Sequence, residues 1–480
     1  MSRDRRPSAQ HPDRLTVVDE IFLRTHRDLG TPIALQGLWR TADHVDRASL
    51  EAVHSALRSG PLGRRVIRPA VPGARRRWQP TVRAHTFDYD ERPIPISALF
   101  DWADRLGYDL DPEFGPGWRL AATRLDDGGS LVSLTCSHAL ADGRALVIAA
   151  DRAIGSAMRT GMEATVGARP ERPGGTPDES FGDAGIHGSS TARADSSRDR
   201  HTDPVGEREF DPVRKARPYP ERDSDWSDAM RQWRIVLGGT ARALRGGGAR
   251  TAKRTVEPLP EKGPGRAAIT CGAVVQCPTT EWEAAARSRG GTGNSLFIWL
   301  VANILWASGF PGDTIEASLP VDTRDEPRVD NDLAMTQIAV TRDDDPARIR
   351  EKSRAAYEYR MTAPSGMPEE ILQVIPDRLA HKLSAGAGER DILCSNIGPL
   401  PDSLLTLGPH RCIGVAARAI HPGLSANRVP RTKLSGYLCT IGGDVVLSLV
   451  SLDPVGIPSA AVLRELLEKV GGPLLPFTTW

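Results

Sequence analysis

The chemically sharpest feature of this sequence is the run Ser137-His138-Ala139-Leu140-Ala141-Asp142-Gly143. A histidine is followed four residues on by an aspartate and then a glycine. Imidazole titrates near neutral pH, so a histidine held in place can take the proton of an attacking hydroxyl or amine. Asp142 is positioned to lock the turn, by accepting backbone N–H groups or by pairing with an arginine. Gly143 is expected to supply a backbone angle that other residues resist. A string this short also fits an ordinary surface turn that carries a histidine and an aspartate.

The elements around the run give it a context. Leu131 to His138 (LVSLTCSH) predicts a strand, with Val132, Leu134, Cys136 and His138 on one parity. Asp126, Asp127, Gly128 and Gly129 supply turn chemistry before it. After Gly143 the spacing of Ala145, Leu146, Ala149, Ala153 and Met158 is helical. The histidine is thus expected where a strand hands over to a helix.

Helical spacing also marks 15–24 and 46–58, the latter with Leu50, Val53 and Leu57 on one face and Asp46 or Ser49 as its cap. In the second half, helices are expected over 226–244, 280–289, 295–307 and 345–360, and strands over 267–275, 314–320 and 444–452. Strands and helices interleave, which predicts an α/β or α+β class. Between about 161 and 225, Pro, Gly, Ser, Asp and Arg displace apolar residues. That composition predicts a disordered linker between an N-terminal part, 1–160, and a C-terminal part, 226–480.

Length and composition exclude several classes. A chain of 480 residues suits two domains of roughly 150–200 residues. Its 62 basic and 61 acidic side chains leave a net charge of +1, which argues against strong steering toward nucleic acid. The six cysteines form no C-x-x-C pair, so neither a disulfide scaffold nor a zinc cluster is expected. Residues 1–14 lack the apolar region of a secretory signal, and the longest apolar run, 296–307, is too short to span a bilayer. A cytoplasmic protein with no metal is the expectation. There is no Walker A loop, no G-x-G-x-x-G after a strand and no G-x-S-x-G elbow. Arg75-Arg76-Arg77 before Trp78 reads as a solvated charge run or a contact for phosphates. His410 and His421 flank Cys412 without metal-like spacing and read as surface loop residues.

His138 to Gly143 (HALADG) resembles the H-x-x-x-D-G motif of the superfamily of chloramphenicol acetyltransferase, nonribosomal condensation domains and wax ester synthase/diacylglycerol acyltransferases. Other segments are similar in the same order: 15–39, 109–143, 291–306, the P-V-x-x-R-like 318–332 (SLPVDTRDEPRVDND), and CSNIGPLP at 394–401. The resemblance departs at Ser137, where many members carry a second histidine. The D-F-G-W-G motif of the plant-type enzymes is missing, and the linker is long.

The resemblance implies two acetyltransferase-like subdomains of mixed sheets and helices, set in a V with a tunnel between them. His138 would be the general base, acting on a hydroxyl acceptor that attacks a thioester of coenzyme A or a phosphopantetheine arm. No bound cofactor is implied, because a thioester is already activated. Asp142 would be structural, with Arg324 as its partner or else a loop arginine. Asn396 would line the tunnel or steady the oxyanion, or else sit in a tight turn. Expected partners are an acyl thioester, a small-molecule or lipid alcohol, and an acyl carrier protein, with at most peripheral contact with a membrane. Two alternatives stand beside this: an amide-forming condensation protein, and a catalytically silent binding module of the same fold, suggested by Ser137.

Overall fold

Alternation of Val132, Leu134 and Cys136 with Ser133, Thr135 and Ser137 builds a strand whose eight residues are all buried. Its polar face stays satisfied through a network. Gln36 Nε2 donates to Thr135 Oγ1 (3.0 Å) and to Ala103 O (2.9 Å), and Arg418 Nε donates to Gln36 Oε1 (2.9 Å). A central strand that is half Ser and Thr is stable only because such partners exist.

The computed structural model describes residues 13–28, 33–167, 224–245, 270–358, 389–424 and 430–480. Most of the expected linker, 168–223, lies outside them. The first half runs α1 (Val17–Asp28), β1 (Ala34–Thr41), α2 (Arg47–Ser59), β2 (Arg64–Ile67), β3 (Arg77–Pro80), β4 (Asp88–Ile94), α3 (Leu99–Asp104), β5 (Trp118–Leu125), β6 (Ser130–Ser137) and α4 (Gly143–Gly167). The second runs α5 (Asp225–Arg245), β7 (Cys271–Pro278), α6 (Thr279–Ser288), α7 (Gly293–Ala307), β8 (Thr314–Asp322), β9 (Leu333–Thr341), α8 (Pro346–Glu358) and β10 (Ile392–Pro399). It ends with β11 (Thr406–Leu407), β12 (His410–Ile420), β13 (Leu434–Ile441), β14 (Asp444–Ser451), α9 (Ala460–Gly471) and β15 (Thr478–Thr479).

Two mixed sheets carry the fold. A six-stranded sheet has the order β11-β12-β1-β6-β5-β4, and a seven-stranded sheet the order β15-β7-β14-β13-β10-β8-β9. One apolar cluster belongs to the seven-stranded sheet and its helices, while the other gathers the six-stranded sheet together with Val274, Tyr437, Cys439, Val446 and Val450 from the seven-stranded one. In the cluster of the six-stranded sheet, α2 is capped by Asp46, whose side chain accepts from Ser49 N, and buries Leu50, Val53 and Leu57 as expected. In that of the seven-stranded sheet, α7 is buried nearly all round and opens on a capping box between Thr292 and Ser295.

The first sheet is not built from the first half alone. Strand β12 pairs antiparallel with β1, from Ala34↔Ile420 onward, and β1 pairs in turn with β6, from Ala34↔Ser137 onward. The chain therefore crosses back after β10 to finish the sheet that carries the histidine motif. Helix α5, grouped with the second half in the sequence, also packs on the first. Its buried Asp228 pairs with Arg75 (2.8 Å), and Asp225 pairs with Arg14 (2.8 Å). Arg76 bonds Glu20 of α1. Arg75 and Arg76 are thus not a solvated charge run, because they are used in buried and half-buried ion pairs. Among the described residues, no helix is long and apolar enough to cross a membrane.

Candidate active site

Strand β6 ends at Ser137, and the ladder continues one step further: His138 N–H donates to Ile33 O (3.0 Å). The chain then folds over. Leu140 N–H donates to Ser137 O (2.9 Å), and Ser137 N–H to Gly117 O (2.8 Å). Leu140 rests on Gly117, where a Cβ would come within 2.5 Å of Leu140 Cδ1, so a larger residue there would displace Leu140. Asp142 starts α4 by accepting Ala145 N–H at its Oδ1 (2.9 Å). Gly143 is not among the glycines with positive φ, contrary to the expectation from sequence. It is the first residue of a helix, and a Cβ there would meet Ile397 at an ordinary 3.5 Å.

The imidazole is oriented by a residue from the other half. His138 Nδ1 lies 3.1 Å from Asn331 Oδ1. The Asn331 amide has only one sensible orientation, because its Nδ2 donates to Asp19 Oδ1 (2.8 Å) and to His138 O (2.8 Å). Its Oδ1 therefore faces the ring and can only accept. In the neutral ring the proton sits on Nδ1, and the Nε2 lone pair is left for an incoming proton. Phe22 of α1 stacks on the imidazole, with centroids 3.5 Å apart and planes at 12°. Burial lowers the pKa of His138 below its ordinary value and keeps the ring neutral and basic at pH 7. Asp19, beneath Asn331, is pushed up to about 6 by its own burial.

The loop is braced from both halves of the chain. Arg324 Nη2 donates to Asp142 Oδ2 (2.5 Å), and Asp332 N–H donates to the same oxygen (3.0 Å). Arg324 also reaches Asp322 Oδ1 (2.7 Å) and Asp330 O (2.6 Å). Arg64 donates to Leu140 O (2.6 Å), with its guanidinium over the Trp78 ring at 4.1 Å.

The remaining sequence candidates fall in different places. Ser137 pairs with Ala34, which packs with Leu110 and Ile420, so its side chain lies on the face of β6 opposite His138. Asn396 is exposed and is not brought to His138. Its Oδ1 accepts Gly398 N–H (3.0 Å) and its Nδ2 donates to Asn294 Oδ1 (2.9 Å), at a bulge within strand β10, where the sequence had suggested a tight turn. His410 is a clasp between Asp43 (2.7 Å) and Asp46 (3.1 Å). His421 is no surface residue: its Nδ1 is buried, without a hydrogen-bond partner among the described residues.

Three residues of the site escaped the sequence reading: Asn331, Asp19 and Phe22. Asp19 had a signal, since Thr16-x-x-Asp19 is a capping box. Thr16 N–H donates to Asp19 Oδ2 (2.8 Å) and Asp19 N–H to Thr16 Oγ1 (3.1 Å). That pattern announces a helix start and nothing of the site. Asn331 lies within the P-V-x-x-R-like segment 318–332, but a lone Asn between two aspartates carries no mark of burial. A separate apolar cavity of only about 10 Å³, lined by Trp39, Leu50, Val53, Leu120, Val132 and Leu134 among others, includes no residue of the motif loop.

No family model matches the chain, and no curated protein matches it. Solved structures do. The first condensation domain of the CDA synthetase is 14% identical, with 98% of this chain and 100% of that one covered and a TM-score of 0.53. The wax ester synthase/diacylglycerol acyltransferase from Marinobacter aquaeolei VT8 is 15% identical, with 96% and 98% covered and a TM-score of 0.52. The polyketide synthase associated protein 5 from Mycobacterium tuberculosis is 13% identical, with 95% and 96% covered and a TM-score of 0.50. This chain has the two-subdomain, chloramphenicol-acetyltransferase-like fold of condensation domains and wax ester synthases.

Proposed function

We propose that this protein is an acyltransferase that moves an acyl group from a thioester to a hydroxyl acceptor, with His138 as general base. The donor is coenzyme A or the phosphopantetheine arm of a carrier protein, reaching His138 along the seam between the two sheets. His138 Nε2 takes the proton of the acceptor hydroxyl as its oxygen attacks the thioester carbonyl carbon. The new C–O bond forms, the C–S bond breaks, and the departing sulfur recovers the proton from the imidazolium. The observation that carries this reading is the Asn331 amide, which presents the free lone pair at Nε2. The silent-module alternative loses its motive, because Ser137 stands on the face away from the imidazole.

The test is turnover of the full chain against a panel of acyl-coenzyme A and carrier-loaded thioesters, with alcohols and amines as acceptors. We expect ester products, and we expect His138→Ala to lower turnover about 10²–10⁴-fold with its circular dichroism unchanged. Amide products would replace the hydroxyl acceptor by an amine, with the same base. Undiminished turnover in His138→Ala would remove the base assignment.

A further inference from the structure

The fold sets a second imidazole beside the first. Ala34 of β1 is flanked by Ile420 on one side and Ser137 on the other. Ala34 and Ile420 point to the face of Leu110. The next residues in register are therefore His421, Ile33 and His138, and by the alternation of a strand they share the opposite face. His421 is held there from behind. Pro422 is seated on Gly107, where a Cβ would come within 2.4 Å of Pro422 Cγ, and Leu424 N–H closes a turn onto His421 O (3.2 Å).

The ring's protonation follows from its surroundings. Nδ1 is buried with no hydrogen-bond partner among the described residues. A buried N–H without an acceptor forfeits a full hydrogen bond, so the neutral ring carries its proton on Nε2. Burial, and then the neighbouring His138, lower the pKa of His421 to about 4, so the ring stays neutral wherever His138 works as a base. His138 thus offers a lone pair, and His421 an N–H, from the same face of one sheet.

We infer that His421 is a second catalytic residue of this site, donating a hydrogen bond from Nε2–H to the thioester carbonyl oxygen as it becomes an oxyanion. The inference rests on the acyl-transfer reading. The spacing suits it. Two strand separations put the histidine backbones about 10 Å apart. Base, attacking oxygen, carbonyl carbon, oxyanion and donor, laid end to end with ordinary hydrogen bonds, span about 9 Å. A neutral imidazole is the right donor here, because it stabilises the developing charge without handing over a proton.

The test uses the full chain and two readouts. In kinetics, His421→Phe keeps the ring's bulk but no N–H, and should lower kcat about 10²–10³-fold with KM changed only a few-fold. His421→Gln keeps a donor and should recover a large part of that loss. In ¹⁵N-imidazole NMR of the unmodified protein, His421 should remain the Nε2–H tautomer from pH 5 to 8. Its signal should shift when a non-hydrolysable ketone analogue of the acyl thioester binds.

Wild-type kcat in His421→Phe, a His421 that titrates near pH 6.5, or an analogue that binds without moving its signal would each overturn the inference. If His421→Phe fails to fold, the Gln variant and the NMR decide. Undiminished turnover in His138→Ala would strike the acyl-transfer reading alone, and the tautomer of His421 would still be read directly.

Discussion

Two segments at the seam between the sheets carry motif-like strings, a loop and a bulge in strand β10, and they are built in opposite ways. The loop 137–143 is held almost entirely from elsewhere in the chain. Arg324 and the Asp332 N–H reach Asp142, Asn331 reaches His138 by ring and by carbonyl, and Arg64 reaches Leu140 O. The bulge at Asn396–Gly398 is held by its own sheet: β10 pairs with β13 on both sides of it, Asn396 bonds Gly398 two residues on, Gly398 takes φ +80°, and Asn294 adds a side-chain bond. A loop whose donors come from 190 residues away keeps its geometry only when both halves are docked. A bulge held by its own sheet keeps it as long as that sheet is intact. Rigid placement of a base calls for the first kind.

The largest way to break this contrast is to remove Arg324. Its side chain and that of Asp142 are 4% and 6% exposed, so either alone would leave a buried, uncompensated charge. Arg324→Ala should cost about 3–5 kcal/mol in denaturant unfolding, and Asp142→Ala a similar amount. The double variant should lose less than the two singles together, since it leaves no orphan. A cost below about 1 kcal/mol for Arg324→Ala would show that the loop holds its shape without the second half.

A smaller, sharper effect is expected at Asn331, on the chemistry of the ring. Asn331→Ala removes the acceptor that pins Nδ1, and should lower kcat/KM about 10–100-fold at pH 7.5. The pH profile tells positioning from mere packing. In the wild type, burial favours the uncharged ring, so the acid limb of kcat/KM should lie below the ordinary imidazole value of 6.5. Asn331→Asp places a carboxylate against Nδ1, favours the imidazolium, and should move that limb upward. The same sign governs stability. The unfolded chain binds the proton first, so His138 costs stability as pH falls through 6.5. A limb that stays put in Asn331→Asp would take Asn331 out of contact with the base in solution.

Periodicity made the local frame readable. The run 131–138, the cap at Asp46 and the all-apolar face of 295–307 each appear as strand β6, helix α2 and helix α7. The order of motif-like segments carried the fold further than composition could. What stayed hidden is long-range pairing. Strand β12 joins β1 at Ala34↔Ile420, across most of the chain, and nothing in HRCIGVAARAI says which sheet it will enter. Asn331 meets His138 across 193 positions. His421 looked like a loop residue because the turn at Pro422 ends its strand, and only the register shows which face it takes. Side-chain chemistry is legible one residue at a time, whereas a site depends on which residues the topology brings into register.

The smallest expected effect tests the other side of the comparison. Asn396→Ala deletes one contact to the Gly398 N–H and one to Asn294, both at an exposed position. Water can replace each partner, so the loss in stability should be about 1 kcal/mol or less, with kcat/KM within about threefold of wild type. The variant is informative because the next residue, Ile397, faces Gly143 at the start of α4, where an added Cβ would sit 3.5 Å from its Cγ1. If the ladder to β13 alone holds the bulge, Ile397 keeps its place and Gly143→Ala is tolerated as well. If Asn396→Ala instead lowers kcat more than tenfold while the unfolding midpoint holds, the bulge is shaping the histidine loop through Ile397. Loop and bulge would then form one unit, and the line drawn between the segment braced from afar and the one held by its own sheet would have to be redrawn at Asn294.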